Sequence, residues 1–405
     1  MRSTPGMHRL VVVAGFALGF CICATSVAGQ EHQHQEPTAA TWTWTLDANA
    51  FLGRNYQRRL FADYTTWESQ NWFMLAADRP GPGGRLNVNA MVSLEAFTMH
   101  DRGSPQLFQT GESYQRIPLV NLQHPHDLLM GLGATYILTR PLVTYVIGAD
   151  LVGSPTLGPT AFMHRASARD NPQAPLIHHY LDSTHITPGV LRAGVEVGSL
   201  TLEASAFRGA EPDEDRLNIE RPNLDSWAAR ARWRHGAWDA QVSGGHLRQP
   251  EWFEPFDTTR LTASVSFDGQ ITSRPLAMTL AWGENRQFNG FNGNVDGFLL
   301  EGDLRLTGTS TIYGRTEVTA KEIFGVAPHP KAFSHRHWFT DVTAVTAGYV
   351  RDIRVQSIER VGRLGVGADV TVYRMAPDML SYFGGSRSFH VFLRWRPQVA
   401  TPHVH

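Results

Sequence analysis

FLLEGDLRL, residues 298–306, decides the fold. In an extended chain Phe298, Leu300, Leu304 and Leu306 share one face, opposite Glu301, Asp303 and Arg305, because successive strand side chains point to opposite sides. The same period of two runs through 86–97, where Leu86, Val88, Ala90, Val92, Leu94 and Ala96 oppose Asn87, Asn89, Ser93 and Glu95. It returns in 388–396, where Phe389, Val391, Leu393 and Trp395 oppose Ser388, His390, Arg394 and Arg396. One such strand suits any half-buried sheet. A long series of them is better explained by a membrane wall with lipid outside and water inside.

The series is long. Strands read at roughly 41–52, 68–77, 84–98, 127–138, 142–152, 188–197, 200–208, 224–234, 237–247, 257–267, 275–283, 295–306, 309–320, 339–350, 355–373 and 386–396. Every second connection is short, as in DRPGPGG (78–84), TRP (139–141), HG (235–236), DGQITSR (268–274) and TG (307–308), and the others are long. Short periplasmic turns alternating with long extracellular loops mark outer-membrane barrels. The expected fold is therefore an all-β, transmembrane antiparallel β-barrel of about 16 strands, with 14 and 12 as alternatives. Both termini are expected in the periplasm. A barrel of this size usually encloses an aqueous channel. Inward Glu203, Glu301, Asp303, Arg305, Arg315 and Glu317 are then expected to line a solvated wall of mixed charge.

Composition agrees. The chain has 36 Lys+Arg against 37 Asp+Glu, so no basic stripe for nucleic acid is present. It is rich in aromatic residues (21 Phe, 11 Trp, 10 Tyr), yet its mean hydropathy is −0.24. That combination suits strands apolar on alternate residues. Residues 1–29 read as a secretory signal: Arg2, His8 and Arg9, then apolar Leu10–Ala24, then Ser26-Val27-Ala28. Both cysteines, Cys21 and Cys23, lie in that segment, so the mature chain would carry no thiol for a disulfide, a nucleophile or a metal. The expected organisation is a signal peptide (1–29), a His-containing tail (30–40), the barrel (41–396) and a C-terminal tail (397–405), in the outer membrane of a Gram-negative cell.

Histidines concentrate in three long loops, 99–126, 153–187 and 321–338. QHPHD (123–127) places His124 and His126 two apart beside Asp127. HHYLDSTH (178–185) gathers His178, His179, Asp182 and His185, with His164 earlier in the same loop. Imidazole is the commonest ligand of borderline metals, and a carboxylate completes the shell or orients a ring. Without cysteine, a site of this kind suits zinc, copper(II) or nickel; Met99 and Met163 add thioethers that favour copper(I). The candidate metal residues are His124, His126, Asp127, His164, His178, His179, Asp182 and His185, with at least three ring nitrogens expected to converge on one point. The competing reading is that these rings hydrogen-bond backbone within an ordered loop. His100, His329, His335 and His337, the EHQHQE tail (31–36) and the closing HVH (403–405) are weaker candidates.

No catalytic residue is assigned: GxSxG and HExxH are absent, and Asp182, Ser183 and His185 are too close in sequence to converge as a triad. At the third loop the chain resembles a porin-like family of bacterial outer-membrane barrels without an established activity. The resemblance lies in QHPHDLLMGLGATY (123–136), GPTAFMHRASARDNPQAPLIHHYLDSTHITPGV (158–190) and LEASAFRGAEPDEDR (202–216). It rests on His124, His126, Asp127, Met163, His164, Arg165, Asp170, His178, His179, Asp182, His185, Glu211, Asp213 and Glu214. The family is often met beside copper and heavy-metal resistance genes, so the resemblance implies metal handling, with copper or zinc as the ion. The expected function is a channel, not an enzyme, whose His/Asp-lined loop constriction handles a transition-metal ion or small metal complex. Its expected partners are outer-membrane lipid, a small solute or metal ion, and two further copies in a homotrimer, with no nucleic acid. The alternatives are a shielding barrel without a metal site and a metal-dependent hydrolase at the rim.

Overall fold

A computed structural model describes residues 42–397 apart from 61, 116, 252–255, 288–293, 323–338 and 356–361. Its strands are β1 (Thr43–Arg59), β2 (Ala62–Glu68), β3 (Asn71–Gly81), β4 (Gly84–Val92), β5 (Ser104–Tyr114) and β6 (Ile117–Gln123). Then come β7 (Leu129–Thr139), β8 (Thr144–Gly153), β9 (Thr187–Val197), β10 (Leu200–Phe207), β11 (Ser226–His235), β12 (Trp238–Leu247) and β13 (Thr258–Ile271). The last are β14 (Arg274–Gln287), β15 (Val295–Thr307), β16 (Ser310–Glu322), β17 (Phe339–Ile353), β18 (Arg363–Met375) and β19 (Arg387–Arg396).

All but β5 and β6 belong to one antiparallel sheet, and β1 closes it by pairing with β19 from Ala50↔Trp395 to Arg58↔Arg387. On its other edge β1 pairs first with β3 and then with β2. Those two segments form one stave interrupted near Ser69-Gln70. The result is a closed barrel of sixteen staves. The even number brings the start of β1 and the end of β19 to the same end.

The turns at that end are tight: β3 to β4, β7 to β8, β9 to β10, β11 to β12, β13 to β14 and β15 to β16. Gly198 and Gly236 supply the positive φ such turns need (+57° each), whereas β13–β14 uses Thr272 (+49°) and Ser273 (+67°). The connections that fold into the lumen lie at the opposite end, whereas the longer β17–β18 connection (354–362) lies at the tight-turn end. The stretch 268–274, expected as a seven-residue connection, is mostly strand. β13 runs to Ile271 and β14 begins at Arg274.

Alternation sorts the faces. On β19, Phe389, Val391 and Leu393 are exposed while Ser388, His390 and Arg394 are buried. On β15, Leu300 and Leu304 face outward and Glu301 and Asp303 inward. A water-soluble fold would place these classes the other way round; here the apolar face is the one turned out to lipid. Exposed aromatics mark both rims. Trp44, Tyr145, Trp233, Trp238 and Tyr349 lie toward the tight-turn end, and Trp67, Trp227 and Phe389 toward the other. Such girdles sit where a membrane meets water.

The interior departs from the solvated wall expected above. The loop 154–186 folds into the lumen and is buried almost throughout. Arg165 pairs with Glu301 of β15 (2.7 Å), and Arg315 of β16 grips the other Glu301 oxygen (3.0 Å) while donating to the Gln173 carbonyl (2.8 Å). Asp170 pairs with Arg394 and Arg396 of β19. The Glu317 carboxylate accepts from the Ile177 amide (3.2 Å), and Tyr180 donates to the Ala320 carbonyl (3.1 Å). Two strand glycines admit this loop. A Cβ at Gly283 would stand 2.3 Å from the Tyr180 carbonyl oxygen, and one at Gly297 2.4 Å from Ile177 Cγ2. The β5–β6 hairpin also enters, burying Leu107 and wedging Phe108 between Tyr373 and Phe383. The inward charges therefore hold protein.

Candidate functional site

The loop fold brings the two histidine motifs together. His126 follows β6, and His178 and His179 sit on the single helical turn His178–Leu181. His185 ends the next turn, Ser183–His185. Ring centroids are 6.3 Å apart for His124–His126, 5.4 Å for His126–His185, 5.2 Å for His185–His178 and 5.4 Å for His178–His179. Five imidazoles thus form a row through the lumen. The expectation of three nitrogens converging on a point is not met. Phe162 packs beside the rings, 5.2 Å from His178, 6.2 Å from His185 and 6.3 Å from His126.

Four of the five rings are oriented by their Nδ1 atoms. His126 bonds Glu95 Oε2 (2.8 Å), and the same oxygen accepts from the His126 amide (2.9 Å). His178 bonds Asp182 Oδ1 (2.7 Å), His185 the Asp182 carbonyl (2.9 Å) and His124 the Pro125 carbonyl (2.7 Å). A carbonyl oxygen only accepts, so Nδ1 of His124 and His185 carries the hydrogen, and the carboxylates impose the same tautomer on His126 and His178. When these rings are neutral their lone pairs lie on Nε2. The Nε2 atoms of His126 and His185 are buried without a hydrogen-bond partner. Carboxylate or carbonyl on one nitrogen with the other left open is the arrangement found around metal-binding histidines.

Electrostatics separates the rings. Burial holds His124 and His185 well below the usual imidazole range, and His178 below it despite Asp182. Burial also opposes charge on His126, but the Glu95 carboxylate outweighs it and raises that ring. Asp182 is itself buried, yet Arg165 and His178 keep it below the usual carboxylate range. His390 makes a contrast. Its Nδ1 meets Asp369 (2.5 Å) and its Nε2 meets Asn55 (2.9 Å), so both nitrogens are committed to the barrel wall.

The remaining candidates divide. Asp182 joins the row and orients two of its rings. Asp127 turns instead to Arg216 (3.1 Å), and His164 stacks edge-on against Trp72 (4.4 Å). His100 is exposed. His329, His335, His337 and both tails lie outside the described residues. Met99 and Met163 line one small cavity with His124, His126 and Glu95, a grouping that their sequence positions did not reveal. Glu95 was missed because its alternation placed it on a continuing strand. β4 ends at Val92, and Glu95 opens the helical turn Glu95–Thr98.

Among the described residues, ligand atoms of His179, Glu211 and Glu251 all lie within 4.8 Å of one another. Glu251 carried no signal in sequence, because no histidine lies near it in its loop.

No protein-family model matches the chain, and no curated protein does. Solved structures do. The anion-selective porin from Comamonas acidovorans aligns with a TM-score of 0.51 at 10% identity, over 88% of this chain and 99% of that one. The fold is porin-like. The outer membrane channel DcaP of Acinetobacter baumannii aligns with a TM-score of 0.51 at 11% identity, over 91% of this chain and 100% of that one. OmpT of Vibrio cholerae, solved in a trimer form, aligns with a TM-score of 0.49 at 11% identity, over 87% and 99%. At these identities the likeness speaks for the architecture, a closed outer-membrane-type barrel, and leaves the chemistry of the loops to be argued from their own residues.

Proposed function

We propose that this chain is a porin-type channel whose inward loops present a His/Asp constriction to a transition-metal ion or its small complex. The observation that carries the reading is the oriented row. His126, His185 and His178 each have Nδ1 fixed by Glu95 or Asp182, and the Nε2 atoms of His126 and His185 have no partner of their own. An unsatisfied buried polar atom costs about 1–3 kcal/mol, so two in neighbouring rings call for a ligand. Neutral imidazole suits zinc or copper(II); the thioethers of Met99 and Met163 beside His124 and His126 add donors suited to copper(I). The ion is cargo here, held or passed by the loops.

The competing readings have less support. A shielding barrel has no need to fold its most histidine-rich loop inward. A metal-dependent hydrolase at the rim has less support because His126, His178 and His185 are buried within the lumen and not at its mouth. Calorimetric titration of the detergent-folded protein with zinc and copper tests the proposal. Replacing His178, His179 and His185 together by Ala is expected to weaken binding at least tenfold, about 1.4 kcal/mol. A triple variant that folds and binds as tightly as the parent overturns it.

A further inference from the structure

Beyond the imidazole row, we infer that His179, Glu211 and Glu251 form a second, chemically distinct site for a divalent cation, with one nitrogen and two carboxylates as donors. Three loops build it. His179 lies on the lumen loop, Glu211 between β10 and β11, and Glu251 between β12 and β13. The Glu211 amide donates to the Pro250 carbonyl (3.0 Å), which stitches the last two loops together and sets the acids side by side. His179 Nδ1 is 3.7 Å from Glu211 Oε2 and 3.7 Å from Glu251 Oε1. Gly111 fences the ring, since a Cβ there would stand 2.7 Å from it.

Charge argues for a cation. Two carboxylates this close repel unless something neutralises them. Arg260 lies near enough to act on both, but its Nε and Nη1 are spent on Asn285 and Ser183. His179 faces both acids at 3.7 Å, and a divalent ion held by its ring nitrogen and one oxygen of each acid would offset their charge in place of a proton on that ring. The donor set suits zinc or a similar borderline ion whose shell water completes.

Position gives the site a role. The Glu211 and Glu251 side chains are 13% and 15% exposed, against 2% for His178. The acids are therefore the solvent-facing station, where a hydrated ion meets oxygen donors first, with His179 linking them to the row. The site shares His179 with the row but does not require His124, His126, His178 or His185 to bind metal.

The test is a calorimetric zinc titration of the full-length folded protein. It compares the parent with Glu211→Gln/Glu251→Gln and with His126→Ala/His185→Ala. The tail histidines are common to all three. The carboxamide variant is expected to lose one zinc equivalent, or at least tenfold in its affinity, while the His126/His185 variant retains that equivalent. Should the double variant fail to fold, Glu251→Gln alone, at a partly exposed loop position, gives the same comparison. An isotherm unchanged by the carboxamide replacements overturns this inference and leaves the row untouched. The converse pattern, loss with the carboxamides and none with the imidazole variant, supports it and removes the row instead.

Discussion

Asp182 concentrates the residue-scale argument. One oxygen takes His178, the other takes Arg165, and its carbonyl takes His185. Replacing it by Ala leaves Arg165 buried with Glu301 as its remaining acid, and breaking a buried pair costs about 3–5 kcal/mol. Asp182→Ala is expected to loosen the lumen loop, read as faster protease cleavage between 154 and 186 in the folded barrel. Cleavage at the parental rate would sink that role. Asp170 adds a pH dependence away from the row. It is buried facing Arg169, Arg394, Arg396 and Asp303, and Arg396 and Arg394 overcome burial to hold it below the usual carboxylate range. A depressed pKa contributes stability above the unfolded value of about 3.8 and loses it as pH falls below. Loop protection should therefore persist at pH 5 and decline below about pH 4; protection that improves on acidification contradicts the pairing. Much of this site was legible from spacing, since His124/His126 and His178/His179/Asp182/His185 are each local in the chain. Glu95 and Glu251 were not, and Glu211 entered only through the family resemblance, because their partners lie far off, as with the 31 residues separating Glu95 from His126. Adjacency also misled at Asp127 and His164, whose nearest strong partners, Arg216 and Trp72, come from elsewhere in the fold.

Elements were read more reliably than sites, because a strand's two faces are written every second residue. The staves 188–197, 200–208, 237–247 and 295–306 fall within a residue or so of β9, β10, β12 and β15. Errors came where polarity and pleat part company. β1 extends to Arg59 because its last residues pair with β2 inside the loop region, where outward residues need not be apolar. The turn 272–273 was masked by polar neighbours that are in fact strand. Its Thr and Ser both sit at positive φ, a conformation costing non-glycine residues about 1–2 kcal/mol. Ser273→Gly is expected to stabilise the barrel by up to about 1 kcal/mol, seen as a higher temperature for the shift in electrophoretic mobility on heating. An equal or lower temperature would show that the turn carries no strain. Strand glycines give the opposite case. Gly283→Ala places a methyl group against the Tyr180 carbonyl, so it should displace the helical turn bearing His178 and His179 and raise the conductance of the reconstituted protein. Parental conductance would mean that the loop does not seat there.

For the whole molecule, closure, outward apolar faces and a loop constriction were expected from the sequence, whereas how fully the loop 154–186 fills the lumen was not. A loop rich in Pro, Asn, Asp and His reads alike whether it faces water or folds inward. What sends it inward is complementarity with the wall: Arg165 meeting Glu301, Asp170 meeting Arg394, and Gly283 and Gly297 leaving room. The barrel thus carries its histidines inside a charged scaffold, and the central claim is that they await a metal ion. Anomalous diffraction at the zinc edge, on crystals of the folded barrel soaked in zinc, tests it most directly. The account predicts a peak beside Nε2 of His126 and His185, at bonding distances of roughly 2.0–2.1 Å once the rings close on the ion. Zinc found elsewhere in the protein, with no peak along the row from His126 to His178, would contradict it.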